Sequence, residues 1–550
     1  MTPADRRLRV RWLGRVPYDE ALDLQRAIWE GRSIGRTADD YLLLLEHPHT
    51  YTLGRNGDGS NLMIDADALD RIGATYVPVD RGGDVTYHGP GQLVGYPIVE
   101  VPRLDDGWDA VGHLRRIEAL LVATLGDLGI EAWAEPGFTG VWTRAGKVGA
   151  IGVKVSSGVS MHGFSINVAP DLGYFRNIVP CGIADRPVTS IAQLRDEPVP
   201  LELVVEALIP HAVEAFGGEA EVQLGAFANR DRTRPYDVDA MVAAGVFSGD
   251  RGVETPITIR GRLPGEPEKP PWMRIHADLS TDGFREIKQL MRGMDLHTVC
   301  EEAGCPNIFE CWESGTSTLL LLGDTCTRAC AFCDVKTGKP GPLDLGEAER
   351  AASAVEAMGL RHAVLTSVNR DDLVDGGAGV FAATIDAIRD RMPECEVEVL
   401  IPDFKGEKGP LETVMGGKPA VLNHNTETVL RLQRDIRTGA NYARSLTLLA
   451  RAKWLNPAGA VKSGLIVGLG ERDEEVVGAL ADLCAVGVDI VTIGQYLRPT
   501  ARHRPIDRYV PPATFEWYRE AGERLGLRHV ESGPLVRSSY HARASLEAAR

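Results

Sequence analysis

Between about residue 271 and residue 550 the chain repeats one pattern, a short apolar run followed by a stretch able to hold a helix. The runs are Thr318–Leu322, His362–Ser367, Val397–Ile401, Ala420–Asn423, Ser463–Val467 and Asp489–Ile493. Each has the length of a strand. Strand–helix–strand units of this kind imply a parallel sheet with right-handed crossovers. Six of them predict an α/β fold, a partial (β/α)6 barrel of TIM type. Such a barrel carries chemistry on the loops that follow its strands.

The first 225 residues read differently. Strand-like runs (Arg7–Trp12, Tyr41–Leu45, Gly149–Val155, Gly163–Val168) alternate irregularly with helix-like ones (Val111–Leu128, Leu201–Phe216). That mixture predicts an α+β domain. Residues 226–270 carry prolines at 256, 264, 267 and 270 and read as a semi-rigid linker, or as an extension packed on one domain. The expected organisation is 1–225, a linker over 226–270, and 271–550.

A formal net charge of −17 argues against a nucleic-acid partner. No apolar run reaches membrane-spanning length, and the N-terminus has no signal-peptide pattern, so a cytoplasmic protein without a membrane partner is expected. Of the nine cysteines, six fall between 300 and 333. In a large cytosolic chain, clustered thiols read as metal ligands or catalytic groups rather than disulfides.

Cys326, Cys330 and Cys333 give C-x3-C-x2-C directly after a strand. Three thiolates can hold three irons of a 4Fe–4S cluster and leave the fourth open for S-adenosylmethionine (SAM). Zinc is the competing reading, but structural zinc usually takes four ligands in paired C-x2-C units. This spacing resembles the radical SAM superfamily. Cys300, Cys305 and Cys311 form a second triplet just upstream, which suggests a second cluster, the alternative being inert buried thiols.

The two triplets together resemble lipoyl synthase. The likeness continues through Thr366–Gly377, Leu422–Asn425, Lys462–Glu471 and Arg537-Ser538-Ser539-Tyr540, and spans nearly all of 271–550. That resemblance implies two 4Fe–4S clusters and SAM as cofactors. It also implies a serine ligand to the upstream cluster, Ser539 or else Ser538, and SAM contacts at Thr366, Ser367, Arg370 and Asp371. The reaction it implies is insertion of two sulfurs, at C6 and C8 of a protein-bound octanoyl chain. An electron donor such as ferredoxin or flavodoxin is implied as well.

In the first half, Arg81–Gln92 is a Gly-rich stretch with one histidine, His88, and lacks the pattern of a phosphate loop. Cys181 lies between Pro180 and Gly182, a context suited to an exposed thiol, although a lone cysteine is more often inert. Lys147, taken alone, reads as a solvated surface lysine.

In order along the chain, Leu44–Pro48, the His88 loop, Lys147–Gly152, Met161–Asn167 and Pro180–Gly182 resemble the lipoyl(octanoyl) transferase family, which shares its fold with biotin and lipoate ligases. The resemblance implies Cys181 as nucleophile, Lys147 as general acid/base, and His88 as a pocket or proton-transfer group. It further implies substrate contacts at Arg81, Gly82, Tyr87, Gly89, Gly149, Ala150, Ile151, Gly152, His162 and Gly163.

Both likenesses point to one pathway: a bifunctional chain that loads octanoyl from acyl-carrier protein onto a lipoyl domain and then inserts sulfur. The lipoyl domains of 2-oxoacid dehydrogenase complexes or the glycine cleavage protein are the expected acceptors. The alternatives are an ATP-dependent ligase or a docking module in the first half, and an iron–sulfur carrier in the second.

Overall fold

The computed structural model describes residues 6–105, 107–179, 186–195, 197–225, 227, 267–273, 282–302, 305, 307–308 and 318–550. Cys181, Cys311 and nearly all of 226–270 lie outside these residues. The chain divides into two compact units, 1–233 and 234–550.

Apart from a two-residue ribbon at 103–104 and 107–108, the strands of the first unit are β1 (Arg7–Arg15), β2 (Asp40–Glu46), β3 (Thr50–Leu53), β4 (Thr75–Pro78), β5 (Val85–His88), β6 (Gln92–Ile98), β7 (Trp133–Glu135), β8 (Phe138–Thr143), β9 (Gly146–Ser156), β10 (Val159–Asn167) and β11 (Glu219–Leu224). Eight form one sheet in the order β11-β1-β2-β6-β10-β9-β8-β7, and β4-β3-β5 form a small second sheet. The pairs made by β1 are parallel and the rest of the large sheet is antiparallel, an α+β arrangement. Along β1 the alternation is clear: Leu8, Val10 and Trp12 enter the core. Arg9 and Arg11 point the other way and are buried, where Asp39 and Glu221 meet them at 2.6 and 2.8 Å. Helices α1 (Tyr18–Ser33), α2 (Ala110–Asp127) and α3 (Leu201–Phe216) complete the layers. Ile117, Leu120 and Leu121 of α2 and Val204 and Leu208 of α3 pack into the main core.

Strand β6 escapes a pattern reading because Gly95 and Pro97 interrupt it. A proline cannot donate to a ladder and is rare inside a sheet. Here the β6–β10 ladder runs only from Gln92 to Gly95, ending before Pro97. Beyond it β10 departs from regularity: His162 takes a left-handed φ of 58°, and the Ser160 hydroxyl donates to the Pro97 carbonyl at 2.7 Å.

The second unit holds β12 (His297–Thr298), β13 (Thr318–Leu321), β14 (His362–Ser367), β15 (Glu396–Leu400), β16 (Val421–Asn423), β17 (Ala460–Val467), β18 (Ile490–Gln495) and β19 (His529–Gly533). They pair in chain order, antiparallel at β12–β13 and parallel thereafter. Helices α4 (Glu347–Ala357), α5 (Ala378–Arg391), α6 (Lys408–Gly416), α7 (Tyr442–Leu455), α8 (Asp473–Ala485) and α9 (Pro512–Leu525) fall one to each crossover. The six expected strands are all present, and their units end in a seventh parallel strand, β19. That strand reads His-Val-Glu-Ser-Gly and buries only Val530, so no apolar run marks it. The terminal helix α10 (Ala542–Ala549) touches β14, β18 and β19. Its Arg550 pairs with Glu396 at the start of β15. The helix therefore lies across the end of the barrel opposite the strand C-termini. No described helix is long and apolar enough to cross a membrane.

Candidate active sites

In the second unit the loop leaving β13 carries Cys326, Cys330 and Cys333. Thr325–Cys326 pairs with Lys336–Thr337, and the Gly338 amide donates to the Cys326 carbonyl at 2.9 Å. The Ala331 amide donates to the Ile436 carbonyl at 2.9 Å, and the Thr438 hydroxyl to the Ala329 carbonyl at 2.6 Å. His503 Nε2 donates to the Cys333 carbonyl at 2.9 Å. Backbone bonds from distant segments thus shape the loop independently of its thiols. Arg328, inside the motif, is buried and grips Asp371 through Nε and Nη2 at 2.7 and 2.8 Å. The same Nη2 reaches Asp403 at 2.7 Å.

Burial raises all three thiols above the ordinary range. Cys330 is pushed up to about 11 by burial and by Cys326, with Arg437 and Arg328 pulling the other way. Protonated thiols packed this way make poor nucleophiles, and a highly charged metal centre is what would release them. Among the described residues no three His, Cys, Asp or Glu side chains converge as ligands of one ion would. Thiolates that each hold a different iron of a cube need not converge.

A cavity of about 800 Å³ opens at the C-terminal ends of the strands and is lined by Cys326, Cys330 and Cys333 together with Cys300 and Cys305. Ser538 and Ser539 line the same cavity. The Cys305 amide donates to the Cys300 carbonyl at 3.0 Å, and Asn307 Nδ2 to the Leu535 carbonyl at 2.7 Å. That second bond ties the upstream triplet to the Arg537–Tyr540 segment. Asn425 Nδ2 donates to Ser538 Oγ at 2.6 Å. Thr366 and Ser367 face the cavity. Asp371 is taken up by Arg328, while Arg370 pairs with Asp372 at 2.9 Å and donates to the Gly341 carbonyl at 3.1 Å.

In the first unit, Lys147 is buried on β9 with its ammonium 5.4 Å from the centre of the Trp142 ring. Gly140, at φ 120°, leaves the slot it occupies, since a Cβ there would stand 2.6 Å from Lys147 Cε. The Lys147 amide donates to the Pro187 carbonyl, and its carbonyl accepts from the Thr189 amide, both at 2.9 Å. Cys181 lies outside the described residues; ahead of it in the sequence, the Val179 amide donates to the Asn61 carbonyl at 2.9 Å.

His88 is buried between Tyr18 and His47, with ring centroids at 5.9 and 5.6 Å. Burial and His47 push its pKa down to about 3, so the ring is neutral. Arg81 donates to the Thr52 carbonyl and hydroxyl at 2.8 Å, and a Cβ at Gly152 would come within 3.0 Å of Arg81 Cδ. The Gly82 amide donates to the Val153 carbonyl at 3.1 Å, joining the Gly-rich loop to β9. Tyr87 pairs its hydroxyl with His49 at 2.7 Å, and a Cβ at Gly89 would strike that hydroxyl. His162 Nε2 meets Asp80 at 2.7 Å, a hydrogen bond that, with another from Lys154, holds the Asp80 carboxyl well below its usual range, while burial lowers the pKa of the His162 ring itself. Gly149, Ala150 and Ile151 pair with Ile166, Ser165 and Phe164, and a Cβ at Gly163 would collide with the Gly95 carbonyl.

Residues 17–213 match the lipoyl protein ligase A/B catalytic domain, and 320–483 match the radical SAM superfamily. Lipoyl synthase of Rubrobacter xylanophilus is 56% identical over 286 residues, covering 52% of this chain and 89% of that protein. The second half of the chain belongs to the lipoyl synthase family. Solved structures similar to the chain include a putative lipoate protein ligase from T. acidophilum with bound lipoic acid, at 17% identity. It has a TM-score of 0.34 and covers 40% of this chain and 89% of that one. Methylornithine synthase is similar at 14% identity and a TM-score of 0.30, covering 45% of this chain and 70% of that one.

For a lipoyl synthase, the donor set fits an iron–sulfur cluster: soft thiols, a buried loop and cations already in place. Charged groups that the cysteine spacing did not reveal complete this lipoyl synthase site. Arg437 and Glu427 line the cavity, and so does Arg537, whose charge opposes the rise that burial gives the Cys305 thiol. Their signal in the sequence is position: Glu427 and Arg437 follow β16, and Arg537 follows β19, at the strand ends where barrel chemistry gathers.

Proposed function

We propose that this chain carries out two consecutive steps of lipoyl-group assembly, octanoyl transfer in the first unit and sulfur insertion in the second. The observation that carries the reading is one cavity lined by Cys326, Cys330 and Cys333, by Cys300 and Cys305 of the upstream triplet, and by Ser538 and Ser539. Cys326, Cys330 and Cys333 would hold one 4Fe–4S cluster. Cys300, Cys305, Cys311 and a serine, Ser539 or Ser538, would hold a second. When bound, these clusters and SAM supply the hydrogen-abstracting radical and the sulfur. Thr366, Ser367, Arg370 and Asp371 belong to the proposed SAM side of the site.

The chain's own work is to shape and screen that chemistry. Arg328 locks the loops of 371 and 403 onto the cysteine loop. Arg437 offsets negative charge at Cys330. Leu465, Ile506 and Tyr496 give the cavity an apolar wall suited to an octanoyl chain.

In the first unit we assign Cys181 as the nucleophile. Its thiolate attacks the thioester of octanoyl-acyl-carrier protein, the C–S bond to the carrier breaks, and the departing carrier sulfur takes a proton from the Lys147 ammonium, leaving an acyl-enzyme and a neutral amine. Lys147, as a neutral amine, then takes a proton from the acceptor-domain lysine as that nitrogen displaces the thiolate. Its burial beside the anchored 187–189 stretch supports this role. The Gly-rich loop, His162 and the glycines of β9 and β10 would receive the acyl group. Joining the units raises the effective concentration of one step's product at the next site.

Anaerobic iron and sulfide analysis tests the second unit: about eight of each per chain are expected, falling to about four in Cys305→Ala. Four in the unaltered protein would overturn the two-cluster assignment. For the first unit, Cys181→Ser should abolish octanoyl transfer. The family description also covers ligases, and an ATP-dependent activity that survives that change would favour a ligase.

A further inference from the structure

We infer that Gln92 and Asn167 are positioning residues that fix His88 with its proton on Nδ1 and present Nε2 as a lone pair to the acceptor amine. This deepens the acyl-transfer reading of the first unit and rests on it for the identity of the amine.

The argument starts from two backbone carbonyls, which can only accept. Asn167 Nδ2 lies 2.9 Å from the Thr189 carbonyl oxygen, so the amide must turn its NH2 there and its Oδ1 the other way. That Oδ1 accepts from Gln92 Nε2 at 2.9 Å. Gln92 Nε2 also reaches the Tyr87 carbonyl at 3.2 Å, a second carbonyl that independently sets the Gln92 amide. The oxygen left over, Gln92 Oε1, lies 2.8 Å from His88 Nδ1, which must therefore carry the hydrogen. Reversing Gln92 would face oxygen against oxygen at Tyr87 and Asn167, and reversing Asn167 would set oxygen against the Thr189 carbonyl and one NH2 group against another. Gln92, Asn167 and Thr189 are all at most 5% exposed, so water does not substitute for the missing bonds.

The other ring nitrogen completes the argument. A neutral imidazole with hydrogen on Nδ1 has a bare Nε2. His88 Nε2 is not among the sealed, unpartnered polar atoms of the described residues. It can accept a hydrogen bond from a substrate amine but cannot donate one to an oxyanion. His88 also resists protonation, facing Tyr18, His47, Arg81 and His162 in a buried setting. It thus orients the amine without taking its proton. The amine nitrogen forms the C–N bond, the C–S bond breaks to release the Cys181 thiolate, and the departing proton passes to Lys147. The relay reaches that lysine as well, because the Thr189 amide donates to the Lys147 carbonyl. One hydrogen-bonded chain therefore sets both His88 and the backbone bearing Lys147.

The test is long-range ¹H–¹⁵N NMR of the full chain with ¹⁵N-labelled histidine, with the His88 signals assigned by their loss in His88→Gln. The expected result is a neutral ring with hydrogen on Nδ1 from pH 8 to pH 5. Gln92→Leu should release the tautomer to a mixture. Gln92→Glu, which keeps an acceptor, should retain hydrogen on Nδ1 while raising the ring's titration. Asn167→Asp, unable to donate to Thr189, should weaken the preference. In rapid-quench assays Gln92→Leu should slow attack by the lipoyl-domain lysine at least tenfold more than acylation of Cys181. Hydrogen on Nε2 in the unaltered protein would overturn the inference. So would an unchanged tautomer in both Gln92→Leu and Asn167→Asp. If the tautomer is as stated but no thioester forms on Cys181, the acyl-transfer reading falls while the positioning by Gln92 and Asn167 stands.

Discussion

The two units surround their candidate sites with different kinds of polar group, although the first also buries ion pairs elsewhere, at Arg9 and Arg11. Around His88 the first unit seals neutral ones: His47 and His88 are pushed down to about 4 and about 3 by burial, His88 meets the Gln92 amide, and His47 meets the Val16 carbonyl and the Tyr96 hydroxyl. The lipoyl synthase unit seals full charges: Arg328 between Asp371 and Asp403, and Lys462 against Glu398 at 3.0 Å. Under the proposed function the difference follows from the chemistry each would hold. A site that passes a proton from an acceptor amine to a lysine works best with neighbours that can hydrogen-bond without changing charge. A site that holds several thiolates needs cations fixed beforehand, because assembling them later would cost desolvation at each step.

The largest expected effect comes from removing the central cation. Arg328→Met leaves Asp371 and Asp403 buried without their shared partner, a cost of roughly 3–5 kcal/mol. Urea unfolding should show that loss, and the iron content of reconstituted protein should drop by about half. Arg328→Lys should rescue little, since one ammonium cannot reproduce a fork that serves two carboxylates. Full iron loading and unchanged stability in Arg328→Met would break the contrast between the units.

Acid titration sharpens the same contrast. A histidine held neutral in the fold contributes stability that is present above its unfolded pKa of about 6.5 and is lost as pH falls toward the folded value. His47, His88 and His113 have folded values of about 4, 3 and 4. The first unit should therefore weaken between about pH 6.5 and pH 3, by several kcal/mol in sum. In the second unit, burial opposes and Lys462 promotes ionisation of Glu398, leaving its pKa at about 2. That carboxylate contributes above about pH 4.5 and its share is lost only below that. His424 of the second unit, pushed down to about 4 by burial, acts in the same direction as the three histidines. Hydrogen exchange on the intact chain should show residues 7–224 losing protection at higher pH than residues 318–533. Simultaneous loss would defeat this account.

The sequence pattern exposed the second unit well because its chemistry and its architecture share a period. Each apolar run marks a strand, and each reactive loop follows one. What it hid was β19, a strand whose polar residues sit at the rim. It also hid Arg437, Glu427 and Arg537, whose roles depend on three separate loops meeting in space. The first unit was less legible. Its strands β3, β5 and β6 are short or broken by glycine and proline. The Gln92–Asn167 relay joins residues 75 positions apart through side chains common on any surface. Lys147 looked like a solvated lysine because nothing local announces that Gly140 makes room for it.

Filling that room is a smaller perturbation. Gly140→Ala must hold φ 120° with a Cβ pressed on Lys147 Cε and on the Gly149 carbonyl. Strain of about 1–3 kcal/mol is expected, enough to lower unit-one stability without unfolding it. Octanoyl transfer should fall about tenfold or more as Lys147 is displaced, while iron content stays unchanged. A transfer rate equal to that of the unaltered chain would show that Lys147 needs no such slot.

The smallest effect is expected at the two cysteines outside the triplets. Cys395 is half-buried with its sulfur 3.7 Å from the Glu396 carbonyl, and the buried Cys484 donates to the Leu525 carbonyl at 3.1 Å. A serine hydroxyl can make either bond, so Cys395→Ser and Cys484→Ser should each change stability by about 1 kcal/mol or less. Iron should remain at about eight per chain in both. Loss of iron from either variant would mean that the division between cluster-holding and structural thiols, on which the contrast between the units rests, has been drawn in the wrong place.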